Sequence, residues 1–159
     1  IQTSISNSAK MKKEIFIGID PGVHTGMAVY SPSDKKFIEC KTYAIHMAFQ
    51  RIMALGGGYE IYMVIEDARK RKWFGPDRNN AQGAGAIKIQ CTQWNMFAED
   101  MKKKGVIVDY KMIHPIRGGT KLDSKEFRKI TGYTGVTSNH ARDAGMMVFQ
   151  INKVKFNLL

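Results

Sequence analysis

The stretch Ile15-Phe16-Ile17-Gly18-Ile19-Asp20-Pro21-Gly22-Val23-His24-Thr25-Gly26-Met27-Ala28-Val29-Tyr30 decides how this chain folds. Pro21-Gly22 interrupts two short apolar runs, which reads as two strands joined by a tight connection and therefore as an antiparallel pair. Ser31-Pro32-Ser33-Asp34 interrupts the chain again, so a meander of strands over Glu14 to Asp20, Thr25 to Tyr30 and Lys36 to Tyr43 is expected. Asp20 then ends a strand in the middle of a sheet, with Pro21 stopping the ladder behind it.

Downstream, Ile45, Phe49, Ile52 and Met53 recur at helical spacing until Gly56-Gly57-Gly58 stops the helix. The run Ile61 to Ile65 reads as a strand ending at Glu66. No proline falls between Asn79 and Lys104, where Ala84, Ile87, Cys91, Trp94 and Ala98 share one face of the longest helix. Gly83 and Gly85 near its start would allow close packing on the sheet or against a second copy. Val106 to Tyr110 reads as a strand, reached by a helical crossover and so parallel to the one ending at Glu66. Asp123-Ser124-Lys125-Glu126 has the pattern of a capping box for a short helix to about Thr131. Ser138 or Asn139 caps a final helix to roughly Lys153, with Ala141, Ala144, Val148 and Ile151 inward. The order β-β-β-α-β-α-β-α-α predicts an α/β fold, a mixed sheet with helices on both faces. Ligands collect at the carboxyl ends of parallel strands in such sheets, where Asp20 and Glu66 stand.

At 159 residues the chain fits one domain, able to bury roughly 70% of its unfolded surface. That domain is expected over 11–159, beginning at Met11-Lys12-Lys13. Residues 1–10 are polar, lack the apolar core of a signal peptide, and read as a disordered leader or cloning remnant. No apolar run of about 18 residues exists to span a membrane. With 25 Lys and Arg against 14 Asp and Glu, the net charge of +11 points to a polyanionic partner. Cys40 and Cys91 are few and far apart, which suits a reducing cytoplasm. Scattered histidines and no Cys-x-x-Cys argue against structural zinc.

Asp20 and Glu66 end strands, and His140 and Asp143 share one face of a helix's first turn. Each has an ordinary explanation by itself: a turn former, a surface ion-pair partner, a helix-start residue. Together they supply what two divalent ions roughly 3.5 to 4 Å apart require at a phosphodiester. Mg²⁺, for which Mn²⁺ can substitute, needs such oxygen ligands. In that arrangement Asp20 bridges, Glu66 and Asp143 each hold one ion, and His140 either ligates or activates water.

Gly18-Ile19-Asp20-Pro21-Gly22-Val23-His24-Thr25-Gly26, Val64-Ile65-Glu66 and His140-Ala141-Arg142-Asp143-Ala144, in that order, resemble the motifs of RuvC-type Holliday junction resolvases of the ribonuclease H-like superfamily. Lys121-Leu122-Asp123-Ser124-Lys125 through Thr131-Gly132-Tyr133 is similar to phage-type members, whose closing motif is His-x-x-Asp. The resemblance covers about residues 14–150. It implies a five-stranded ribonuclease H-like sheet, with Asp20, Glu66, His140 and Asp143 as the catalytic, metal-binding set. It also implies a homodimer in a bacterial cytoplasm, encoded by the bacterium or a phage, that makes paired symmetric nicks in a four-way DNA junction and leaves 5′-phosphates.

The chain departs from the family after Glu66, where Arg69-Lys70-Arg71-Lys72 precede Trp73 and Phe74. Four cations and two aromatics can neutralise phosphates and stack on an exposed base. Lys121, Lys125 and Arg128 are further candidates for DNA contact. The alternatives are a flap or fork nuclease, a ribonuclease H acting on RNA–DNA hybrids, and a non-catalytic junction-binding protein. Actin-like nucleotide binding needs two duplicated halves, for which the chain has no room, and no Walker motif exists.

Overall fold

The protein's structure is a computed structural model that describes residues 12–70, 78–115 and 122–159, with the backbone alone described for 78–84. The strands are β1 (Lys13–Asp20), β2 (Thr25–Ser31), β3 (Lys36–Tyr43), β4 (Tyr59–Glu66) and β5 (Asp109–Ile113). The helices are α1 (Ile45–Leu55), α2 (Arg78–Lys103), α3 (Ser124–Thr131), α4 (Asn139–Val148) and α5 (Lys153–Asn157), with a 3₁₀ turn at Ala68–Lys70. The five strands form one mixed sheet in the order β3-β2-β1-β4-β5. β1, β2 and β3 are the antiparallel meander, while β4 runs parallel to both β1 and β5.

Strand side chains alternate between two cores because successive residues point to opposite faces. Ile15, Ile17, Ile19, Ile61, Met63 and Ile65 pack against α1 and α2, with Trp94 wholly buried among them. Phe16, Ala28, Tyr62 and Val64 face α3, α4 and α5 on the other side. Asp20 and Glu66 continue this second, even-numbered face. Among the described residues, no helix is long and apolar enough to cross a membrane.

Several expectations shift. The fifth strand starts at Asp109, later than expected, because the amides of Val106 and Ile107 donate to the Met101 carbonyl at the end of α2. Gly105 makes that reversal with φ of +75°. The final helix ends at Val148, before Lys153; Gln150 takes φ of +59°, and Asn152 caps the separate α5. This break returns Ile151 and Phe156 to the core, where Phe156 lies wholly buried against Phe16 and Tyr62.

In α1 the inward face holds Ala48, Ile52 and Leu55, with Met53 exposed. In α2, Cys91, Trp94 and Ala98 are buried as expected but Ile87 is exposed. Residues 85–89 are exposed all round, so this part of the helix stands clear of the sheet. A side chain at Gly85 would meet nothing within 4 Å, which removes the expected close packing on the sheet there; Gly83 falls in the part of α2 described by its backbone alone.

Candidate active site

The site begins at the central strand. Asp20 pairs with Gly26 in the last rung between β1 and β2, and the Thr25 hydroxyl donates to the Gly22 carbonyl at 3.0 Å to close the turn. On the other flank, Ile19 stands beside Ile65 in parallel register, so Asp20 and Glu66 follow as neighbours.

Helix α4 completes the site, and two glycines decide how near it comes. A β-carbon on Gly26 would lie 2.0 Å from the His140 carbonyl oxygen, and one on Gly18 would lie 2.2 Å from that of Ala144. The helix backbone therefore rests directly on the sheet. Ser138 caps the helix by accepting from the Ala141 amide at 3.1 Å, and its hydroxyl hydrogen-bonds that of Thr42 on β3. The buried Cys40 thiol donates to the Ala141 carbonyl at 3.0 Å. The helix start is thus tied to the strand ends by hydrogen bonds as well as by contact.

This seating brings His140 Nδ1 to 3.1 Å from Asp20 Oδ2. The Asp20 side chain is 14% exposed, while His140 at the mouth is 53% exposed. Burial raises the pKa of Asp20 above the ordinary carboxylate value, the hydrogen bond and charge of His140 oppose this, and the charge of Asp143 adds to it. The Glu66 side chain also acts on Asp20, in the lowering direction. Glu66, His140 and Asp143, the other three residues expected from sequence, are therefore gathered around Asp20.

Three carboxylates are hard oxygen donors suited to Mg²⁺ or Mn²⁺, with the imidazole a borderline nitrogen donor beside them. Clustered carboxylates that push one of their number toward its neutral form gain from a nearby cation. On the chemistry of the donor set, the residues fit a divalent ion. As the side chains stand, no group of three or more His, Cys, Asp or Glu among the described residues is arranged to hold one.

The cations expected to contact DNA make different contacts within the protein. Arg69 binds Asp67 with both ends of its guanidinium, Nε to Oδ1 at 2.8 Å and Nη2 to Oδ2 at 2.9 Å. Burial pushes the Asp67 carboxyl up, but the hydrogen bonds from Arg69 outweigh it and hold the group below its ordinary value. Lys70 Nζ donates to the Met112 carbonyl at 2.7 Å. Both cations, expected to meet phosphates, bond to the protein's own groups, and Lys70 fastens the chain after Glu66 to β5. Lys125 and Arg128 are exposed on α3, whereas Arg71, Lys72, Trp73, Phe74 and Lys121 lie outside the described residues.

Sequence reading missed the two glycines, Asp67 and Arg142, whose side chain is buried beside the site. Gly18 carried a signal, since a glycine inside a strand marks close approach of another backbone. Both cysteine thiols support site elements: Cys91 Sγ donates to the Glu66 carbonyl at 3.7 Å, as Cys40 does to that of Ala141. Comparison with protein-family models, with curated proteins and with solved structures finds no match to this chain.

Proposed function

We propose that this chain is a Mg²⁺-dependent endonuclease of ribonuclease H-like fold that cuts branched DNA, four-way junctions foremost. The observation that carries the reading is the convergence of Glu66, His140 and Asp143 on the buried carboxylate of Asp20, from three elements far apart in sequence. The antiparallel meander continued by parallel strands, with helices on both faces, supports the fold that the motifs imply. The net charge of +11 supports a nucleic-acid partner.

Asp20, Glu66, Asp143 and His140 would hold the divalent ions, which when bound activate the attacking water and stabilise the leaving 3′-oxygen. Burial of Asp20 strengthens every charge interaction at its carboxylate. His140, exposed at the mouth, is placed to complete the donor set or to take a proton from the attacking water. Hydrolysis in line would leave a 5′-phosphate and a 3′-hydroxyl with no covalent enzyme intermediate. Paired, symmetric nicks need two such sites, hence a homodimer, and the buried thiols suit a reducing bacterial cytoplasm.

The test is cleavage of an end-labelled four-way junction beside a duplex, a flap and an RNA–DNA hybrid, with Mg²⁺, Mn²⁺ or EDTA. Metal-dependent, paired nicks in the junction are expected. Cutting of the hybrid alone would make the chain a ribonuclease H. Tight junction binding without cuts in either metal would leave a binding module.

A further inference from the structure

We infer that Arg142 is the positioning residue of the candidate site: its buried guanidinium locks the first turn of α4, and so aims His140 and Asp143 at Asp20. The inference rests on reading that site as a metal-dependent nuclease centre. The Arg142 side chain is only 7% exposed, although it lies between His140 and Asp143 in sequence. Its Nε donates to the Leu122 carbonyl at 2.8 Å, its Nη1 to the Thr137 carbonyl at 2.8 Å and the Thr137 hydroxyl at 2.9 Å, and its Nη2 to the Asn139 side-chain oxygen.

These acceptors lie on two stretches of chain, Leu122 on one and Thr137 with Asn139 on the other. Leu122 precedes the cap of α3, Thr137 ends the loop between α3 and α4, and Asn139 opens α4. One planar fork therefore joins α3, the loop and the helix start, which a lysine's single ammonium cannot do. From the sheet side the same turn is seated on Gly26 and held by the Cys40 thiol. Opposed constraints of this kind leave the turn one orientation.

An arginine at this position carries two costs. Its acceptors are carbonyls, a hydroxyl and an amide oxygen, none of them charged, so burial of the guanidinium is not offset by an ion pair at these contacts. A cation in a helix's first turn also opposes the helix dipole. An apolar side chain would avoid both costs but leave the Leu122 and Thr137 carbonyls without this donor, whereas the fork serves both stretches.

The full-length chain carries the test as Arg142→Ala and Arg142→Lys. Three quantities are read: junction affinity in EDTA, turnover at saturating junction with Mg²⁺, and Mn²⁺ affinity by electron paramagnetic resonance. Loss of a group that orients metal ligands lowers metal affinity or activity about 10- to 100-fold. Both variants are expected to lose turnover and Mn²⁺ affinity in that range while junction affinity in EDTA holds. Added guanidinium should restore part of the Arg142→Ala turnover and none of that of Asp20→Asn.

Wild-type turnover and Mn²⁺ affinity in folded Arg142→Lys would overturn the inference, because charge and stem would then suffice. Equal losses in junction affinity and turnover, with no response to guanidinium, would also overturn it by showing general damage. If Arg142→Ala does not fold, Arg142→Lys decides. A wild-type chain that binds Mn²⁺ but cuts none of the substrates would defeat the nuclease reading alone, and the Mn²⁺ affinities would still decide the role of Arg142. A wild-type chain that binds no Mn²⁺ would defeat both.

Discussion

The α-carbon of Gly26 sits so close beneath His140 that a β-carbon there would stand 2.0 Å from the His140 carbonyl oxygen. A strand glycine on β2 thereby determines how near a helix more than a hundred residues later approaches Asp20. Gly26→Ala should push α4 off the sheet. Overpacking of this kind costs about 1–3 kcal/mol, which for a chain of this size lowers Tm by roughly 2–12 °C. Cleavage should fall further than the lost stability explains, because His140 and Asp143 would move from Asp20. Thermal melts beside cleavage at a temperature where the variant is folded check this, and full activity there would refute the seating argument.

Asp20→Asn should abolish cleavage and spare junction binding, since it removes a central oxygen donor and leaves the basic surface intact. Gel-shift affinity in EDTA and end-labelled cleavage in Mg²⁺ separate the two effects. Undiminished cutting would remove Asp20 from the metal set.

The raised pKa of Asp20 has a stability consequence with a definite sign. Burial favours its neutral form in the folded protein, so the folded-state pKa exceeds the ordinary value of 3.8 and the unfolded chain releases the proton first. The resulting stabilisation is complete below the unfolded pKa and is lost as pH rises through the raised folded value. In EDTA, the Tm of wild type relative to Asp20→Asn should therefore decline as pH is raised through and above the ordinary carboxylate range. A difference that stays flat across that range would contradict the placement of Asp20.

Arg69 should matter to stability more than to DNA. Asp67 is 3% exposed and its partner Arg69 is 31% exposed. Breaking a fully buried pair costs about 3–5 kcal/mol, and the partial exposure of Arg69 places Arg69→Ala at or below the lower end. The opposite pKa sign applies here: the lowered value of Asp67 contributes stability above its unfolded pKa, lost as pH falls through the folded one. Urea unfolding at neutral and acid pH should show Arg69→Ala least stable relative to wild type at neutral pH. A neutral effect at both would disprove the structural role.

Arg71→Ala with Lys72→Ala should weaken junction binding and reduce the dependence of log affinity on log salt by about 0.9 for each phosphate that is no longer neutralised. Arg69→Ala should leave that slope nearly unchanged, as its guanidinium already serves Asp67. Titrations at several salt concentrations give the slopes. Equal slopes in all three proteins would show that Arg71 and Lys72 neutralise no phosphate.

Local pattern made the three-strand meander, the parallel crossover and the caps at Asp123 and Ser138 legible, because strand alternation and capping chemistry act over a few residues. The gathering of acids was legible only as a set of strand-end and helix-start positions in the right order. The register of β5 was not, since the competition of Val106 and Ile107 for the Met101 carbonyl depends on where α2 ends. The end of α4 was misplaced for a similar reason: Phe156 finds its place only against Phe16 and Tyr62.

By itself, then, the sequence determined the central strand, the carboxylate at its end and the cationic excess, all consequences of residue type and short-range spacing. Tertiary structure alone decided that Lys70 bonds to Met112, and that Arg142 is buried as a clasp. It also decided that His140 reaches Asp20 across 120 residues of chain. This last relation depends on how closely two backbones approach, which is set by missing β-carbons at Gly18 and Gly26 whose partners lie far away in the sequence.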